Sequence, residues 1–172
     1  VGIGAGAVLL FQESAGPAVW VVMGLIFLGL FFQSSPPVAL MSTGYGEITT
    51  SIIFAGLTPA FAHLLLSGQA SQVVLLATAP LVALHVAMLI AFGLPDFESD
   101  RAGGKRTLVV RLGQVSAANL HNALLAASLA VTALGSFAGL PIRVAISAAF
   151  LAPLVVLQII TVRRLQRGDP AS

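Results

Sequence analysis

Long apolar runs separated by short polar linkers organise this 172-residue chain. The runs hold for about 20 positions at a time, the length a helix needs to cross the hydrocarbon of a bilayer. Apolar and polar residues do not alternate within them, as they would along the strands of a membrane barrel. Breakers divide the runs into one partial span at 1–11 and five whole spans at 17–33, 48–67, 71–94, 115–135 and 141–162. The 17–33 span is short for a hydrocarbon layer of about 30 Å, so it is expected to extend into its flanks. The pattern predicts an all-α fold, a polytopic transmembrane helix bundle forming a single membrane domain over 1–172.

The linkers alternate in character. QESAGP, SGQASQ and SFAGLPIR contribute only Glu13 and Arg143 to the chain's fourteen charged residues, eight Lys and Arg plus six Asp and Glu. SSPPVALMSTGYGE, DFESDRAGGKRTLVVRLG and RRLQRGDPAS hold the other twelve, including seven of the eight cations. Cations collect on the cytoplasmic face of membrane proteins, and helix counting puts these three linkers on one side. They are therefore expected to face the cytoplasm, with a bacterial or archaeal cytoplasmic membrane as the setting. Arg163, Arg164 and Arg167 read as an anchor of that topology.

Composition narrows the class further. Hydrophobic residues make up 58% of the chain and charged residues 8%, and the mean hydropathy is +1.01. The absence of Cys excludes disulfides, thiolate metal sites and a cysteine nucleophile. A net charge of only +2 speaks for orientation in a membrane and not for nucleic-acid binding. No stretch has the form of a signal peptide. The chain opens at Val1 inside an apolar run and stops just after a basic cluster, so it is expected to be an internal piece of a longer protein.

Seven of the fourteen charges lie in 96–111, which makes the 96–113 loop the place to look for chemistry. Asp96 and Asp100 are spaced i, i+4, which on a helical turn brings both carboxylates to one face about 6 Å apart. Two such anions repel unless a cation lies between them. Mg²⁺ suits the position, because it takes hard oxygen ligands and is commonly held by one or two carboxylates plus substrate phosphates. Arg101, Lys105, Arg106 and Arg111 follow at once, and basic groups beside metal-binding carboxylates suit a diphosphate. The same charges would also serve a solvated loop that only anchors topology. GGKRT resembles the end of a phosphate-binding loop, but the first Gly of that motif would fall at Ser99 and its Ser/Thr at Arg106.

DFESDRAGGKRTLVVRLG resembles the second aspartate motif of the UbiA superfamily of intramembrane prenyltransferases, D-x-x-x-D followed by GKRTL and RLG. Its wording is most similar to the 1,4-dihydroxy-2-naphthoate (menaquinone) branch. Upstream, PPVALMSTGYGE resembles the family's P-P-…-G-x-G-E linker, two spans before the aspartates. The resemblance implies a nine-helix bundle around a central cavity, with this chain holding the third through eighth helices. The first aspartate motif would precede Val1, and the ninth helix would follow Ser172. It further implies that Asp96 and Asp100 bind Mg²⁺ on a prenyl diphosphate, that Arg101, Lys105 and Arg106 hold diphosphate oxygens, and that Glu47 and Asn119 touch an aromatic acceptor. The implied activity is transfer of a polyprenyl group to a quinone precursor, with dihydroxynaphthoate the leading acceptor. On that reading 1–172 alone is expected to be inactive. 4-Hydroxybenzoate, homogentisate and porphyrin-type acceptors stay open, since acceptor choice depends on cavity shape.

The chain departs from the family pattern in places. Phe92 and Gly93 stand where relatives carry an Asn before the first Asp. Gln33, Ala39, Met41 and Thr43 stand where relatives carry Tyr ahead of the Pro pair and basic residues after it. These losses keep two rivals in view, an inactive prenyltransferase paralogue and a non-catalytic transport or lipid-binding membrane protein. Glu47 has a simpler reading as a negative charge at a helix N-terminus, favoured by the dipole. Among other polar residues, His85 lies near mid-membrane, where an ionisable group is a functional candidate or a neutral partner for a neighbouring helix. His63 reads as interfacial. Asn119, His121 and Asn122 open the span after the loop on its cytoplasmic side, placed either to touch acceptor or diphosphate or to serve as ordinary polar residues at a helix entrance. Gly135 and Gly139 read as a turn.

Overall fold

The computed structural model describes residues 16–166, all of whose regular structure is helical. Five helices are long and apolar enough to cross a membrane. In chain order these are α1 (Pro17–Ser34), α3 (Gly46–Ser67), α4 (Gln72–Gly93), α7 (Gln114–Gly135, continued by a 3₁₀ turn to Ala138) and α8 (Ile142–Gln166). Three short helices lie in the linkers: α2 (Leu40–Thr43), α5 (Phe97–Ala102) and α6 (Leu108–Leu112). The expected partial span at 1–11 lies outside the described residues.

The predicted spans match these helices, with one correction. The first does not extend into its N-terminal flank. It starts at Pro17, whose missing N–H costs nothing at a helix start, and Gly16 is already extended (φ −61°, ψ 165°). Its 18 residues rise about 27 Å, close to the hydrocarbon thickness without further extension.

The second span hides an irregularity. Residues Ile52–Leu57 widen into π-helix inside α3. Pro59 follows, and it offers no N–H to the preceding turn while its ring crowds a carbonyl there. Just before it, both the backbone N–H and the hydroxyl of Thr58 donate to the Ile53 carbonyl, the hydroxyl at 2.9 Å.

The linkers gather at two ends. At one, Gln72 Nε2 donates to the Ala138 carbonyl at 3.4 Å, joining the α3–α4 and α7–α8 turns. At the other, the α1–α3 linker meets the α5–α6 segment, so these two charge-rich linkers of the sequence share an end. The core lies just inside that second end. Val86 and Ile90 of α4 pack with Ala117 of α7 and with Leu108 and Val109 of α6, and Leu94, Phe97, Leu120 and Leu124 surround them. Small residues on the buried faces, among them Ala87, Ala117, Ala118 and Ser128, let α4 and α7 approach closely. By contrast α1 and α8 turn large apolar side chains outward, including Phe27, Phe31, Phe150 and Leu154. Outward-facing grease on membrane-length helices is what lipid or further helices would cover.

Candidate diphosphate and metal site

The aspartate motif forms a helical turn. Asp96 precedes the first residue of α5, Asp100 lies within it, and the Asp100 amide donates to the Asp96 carbonyl at 2.8 Å. The two carboxylates differ in setting: Asp96 is exposed, whereas Asp100 is only 8% exposed. Gly104 then turns the chain back with φ +71°, a conformation that costs glycine little. That turn lets Lys105 Nζ reach Asp100 Oδ1 at 2.6 Å. The hydrogen bond to Asp100, reinforced by the same carboxylate's charge, raises the Lys105 ammonium above the ordinary lysine range.

Arg106 goes elsewhere. With Arg111, Thr43, Tyr45 and Val110 it lines an open pocket of about 500 Å³ between the two linkers. Arg111 is held on two sides. One guanidinium nitrogen donates to the Thr43 carbonyl at 2.7 Å, and the planar group stacks 4.6 Å from the centroid of the Tyr45 ring. Two guanidinium groups and a phenol around one opening make a site for phosphate oxygens, since the arginine fork matches their geometry. Arg101, expected to join them, is exposed and lies outside the pocket lining. Sequence reasoning counted Arg111 among the basic residues suited to a diphosphate but left it out of the named diphosphate ligands, and it passed over Tyr45. The chain's single Tyr, set in a GYGE turn, was the available signal.

Glu47 joins the linkers a second time. Its Oε1 accepts the backbone N–H of Leu108 at 2.8 Å, so a residue in the first turn of α3 caps the start of α6. The Thr107 hydroxyl supplies the local cap by accepting from the Val110 amide at 3.3 Å. Glu47 therefore sits at a helix N-terminus, as the dipole argument has it, and also serves the N-terminus of another helix. Replacing Glu47 with Ala is expected to destabilise the protein by about 1 kcal/mol. Glu47→Gln keeps an acceptor oxygen and should lose less than half of that. Denaturant unfolding in detergent, followed by circular dichroism, measures both; equal losses would mean that the capping oxygen is immaterial.

Of the remaining candidates, Asn119 is exposed on α7, while its neighbours His121 and Asn122 are buried. His85 is bonded to a neighbouring helix, with Nδ1 3.0 Å from Ser51 Oγ.

Among the described residues, no three His, Cys, Asp or Glu side chains gather at one point. A metal at α5 would therefore draw on Asp96 and Asp100, with substrate and solvent completing its shell. Two hard carboxylates one helical turn apart, at the end of the bundle that also holds the Arg106–Arg111 pocket, have donors that suit Mg²⁺ and a diphosphate.

The sequence has counterparts among known proteins. A 91-residue stretch is 36% identical to 1,4-dihydroxy-2-naphthoate octaprenyltransferase of Escherichia coli (strain K12), covering 53% of this chain and 30% of that protein. The chain thus aligns with less than a third of that relative's length. No solved structure gives a significant match. The model of the UbiA prenyltransferase family matches residues 1–172. A match over the full chain, on a bundle of membrane-length helices with paired aspartates at one end, settles the affiliation: the chain belongs to the UbiA prenyltransferase family.

Proposed function

We propose that the protein carrying this chain transfers a polyprenyl group from a prenyl diphosphate to an aromatic acceptor, with 1,4-dihydroxy-2-naphthoate as the leading candidate. The observation that carries this reading is the pairing of Asp96 and Asp100 on α5 with the Arg106–Arg111–Tyr45 pocket at the same end of the bundle. Asp96 and Asp100 would hold Mg²⁺. When bound, that ion neutralises charge on the diphosphate as it leaves. Arg106 and Arg111 hold phosphate oxygens, and the Tyr45 ring keeps Arg111 turned toward them. Lys105 fixes the Asp100 carboxylate within the loop.

The chemistry asks little more of the protein. The bond between the allylic carbon and the diphosphate oxygen breaks and its electron pair leaves with the diphosphate. The aromatic ring attacks the allylic carbon, and the attacked ring carbon then releases its proton, or its carboxyl group as carbon dioxide and a proton, so that the bonding pair returns to the ring. Preorganised cations lower the cost of that developing charge, and an apolar bundle keeps water from the allylic cation. The loop end would face the cytoplasm, where water-soluble precursors arrive.

The direct test is to place the full-length protein in lipid nanodiscs with Mg²⁺, a prenyl diphosphate and a panel of aromatic acceptors, then identify products by mass spectrometry. A prenylated dihydroxynaphthoate product is expected. A folded protein that prenylates no acceptor would sink the reading.

A further inference from the structure

Six buried side-chain atoms lack a hydrogen-bonding partner among the described residues, and they are unevenly distributed. Five belong to Gln33, Glu47, His121 and Asn122, close to the loop end; the sixth is Ser136 Oγ, at the opposite end. Cross-helix hydrogen bonds put most of the five at one level. Gln33 Nε2 of α1 donates to Thr50 Oγ1 of α3 at 2.6 Å. Ser51 of α3 meets His85 of α4 at 3.0 Å, and two residues on, the Ala87 carbonyl meets His121 Nδ1 of α7 at 2.8 Å. The chain of contacts runs α1–α3–α4–α7, and each helix enters and leaves it within two residues.

His121 and Asn122 stand out in this layer, being 2% and 6% exposed. Deeper polar residues on the same helix are satisfied, Ser128 by the Leu125 carbonyl and Thr132 by the Ser128 carbonyl, each at 2.8 Å. His121 is oriented as well as buried. A carbonyl can only accept, so Nδ1 carries the proton toward Ala87, and Nε2 of the neutral ring presents a lone pair. Both Asn122 amide atoms are unbonded. Buried polar groups are almost always hydrogen-bonded, so three unpaired atoms on adjacent residues point to a ligand.

We propose that His121 and Asn122 recognise the hydroxyl groups of the aromatic acceptor, a role that rests on the prenyl-transfer reading. Adjacent positions of a helix do not face each other, so the two residues take different hydroxyls. One gives its proton to His121 Nε2; the other accepts from Asn122 Nδ2 or donates to Asn122 Oδ1. The other unpaired atoms of the layer, Gln33 Oε1 and Glu47 Oε2, are acceptors too, so the level favours O–H groups over phosphate or carboxylate. Its position fits the reaction. Ala117, one turn above His121 on α7, packs against Leu108 and Val109, which lie between the pocket residues Arg106 and Arg111. An acceptor ring held at His121 would therefore lie below the diphosphate, on the membrane side.

The test uses the full-length protein in nanodiscs under reducing conditions, with 1,4-dihydroxynaphthalene and 1,4-dimethoxynaphthalene as fluorescent probes of binding. The wild type should bind the diol about tenfold more tightly than the ether, the range expected when one buried hydrogen bond is lost. His121→Phe and Asn122→Leu should each shrink that preference to about twofold, while His121→Gln, which keeps an acceptor, should retain most of it. Binding of farnesyl thiodiphosphate should be unchanged in all three variants. Equal binding of diol and ether by the wild type would overturn the proposal with no variant needed, and would leave the layer to internal water. A preference that survives both apolar substitutions would overturn it too. Neither measurement requires turnover. A wild type that discriminates the diol but transfers no prenyl group would count against prenyl transfer and not against hydroxyl recognition.

Discussion

Asp100→Asn is expected to cut prenyl transfer by about a hundredfold or more, the loss typical when a preorganised charge is removed from a reacting centre. The substitution is nearly isosteric and keeps one oxygen in place, but it removes the negative charge from a side chain that is nine-tenths buried on α5. Two consequences separate this from simple unfolding. Lys105 loses its charged partner, so its ammonium should fall back toward the ordinary lysine range, which nuclear magnetic resonance of labelled lysine would read. Stability should change little, since Lys105 is exposed and such a pair is well screened. The pH dependence follows from the sign of the shift. A raised lysine value means that the pair's contribution is present through neutral pH and fades as pH rises through that raised value. Full transfer activity in Asp100→Asn would remove the metal role from α5.

The helices were legible in the sequence because nothing in the described chain competes with their hydrophobicity. The 71–94 and 115–135 runs end within a residue of the helices Gln72–Gly93 and Gln114–Gly135, since caps and glycines mark those boundaries. The π-helical stretch of α3 was hidden, because an apolar run reads the same whether its turns are closed at four residues or at five. In the site, the single turn carrying Asp96 and Asp100 followed from spacing alone. The partners of the cations did not. Lys105 lay five residues from Asp100 and was expected to serve phosphate, but the glycine turn folds it onto the carboxylate. Glu47 and Leu108 are 61 residues apart, and Arg111 and Thr43 are 68 apart. Such contacts depend on which linkers share an end and how close they come. Topology supplied the first, and only coordinates supply the second.

That closeness is concentrated at Gly44, and Gly44→Ala should therefore reach the site without touching any charge. Gly44 has φ +79°, and a methyl group there would run into the Arg111 side chain and the Arg106 carbonyl. Backbone strain alone costs on the order of 1 kcal/mol, and displacing the neighbouring segment adds to it. Because the Arg106 backbone cannot move without carrying α6, the two linkers must separate. Arg111 would then lose the Thr43 carbonyl and the Tyr45 ring, and Arg106 would shift with it. The expected result is a rise of about tenfold or more in the KM for prenyl diphosphate, as an arginine fork slips from its geometry. Gly68 is the matched control. It has φ +71° at the opposite end of α3, with nothing near the position of the added methyl. Gly68→Ala should show the strain as lower stability in denaturant unfolding, with an unchanged KM. If both alanine variants raise KM equally, the effect belongs to general loosening of the bundle. If only Gly44→Ala does, the approach of the two linkers is what shapes the diphosphate pocket.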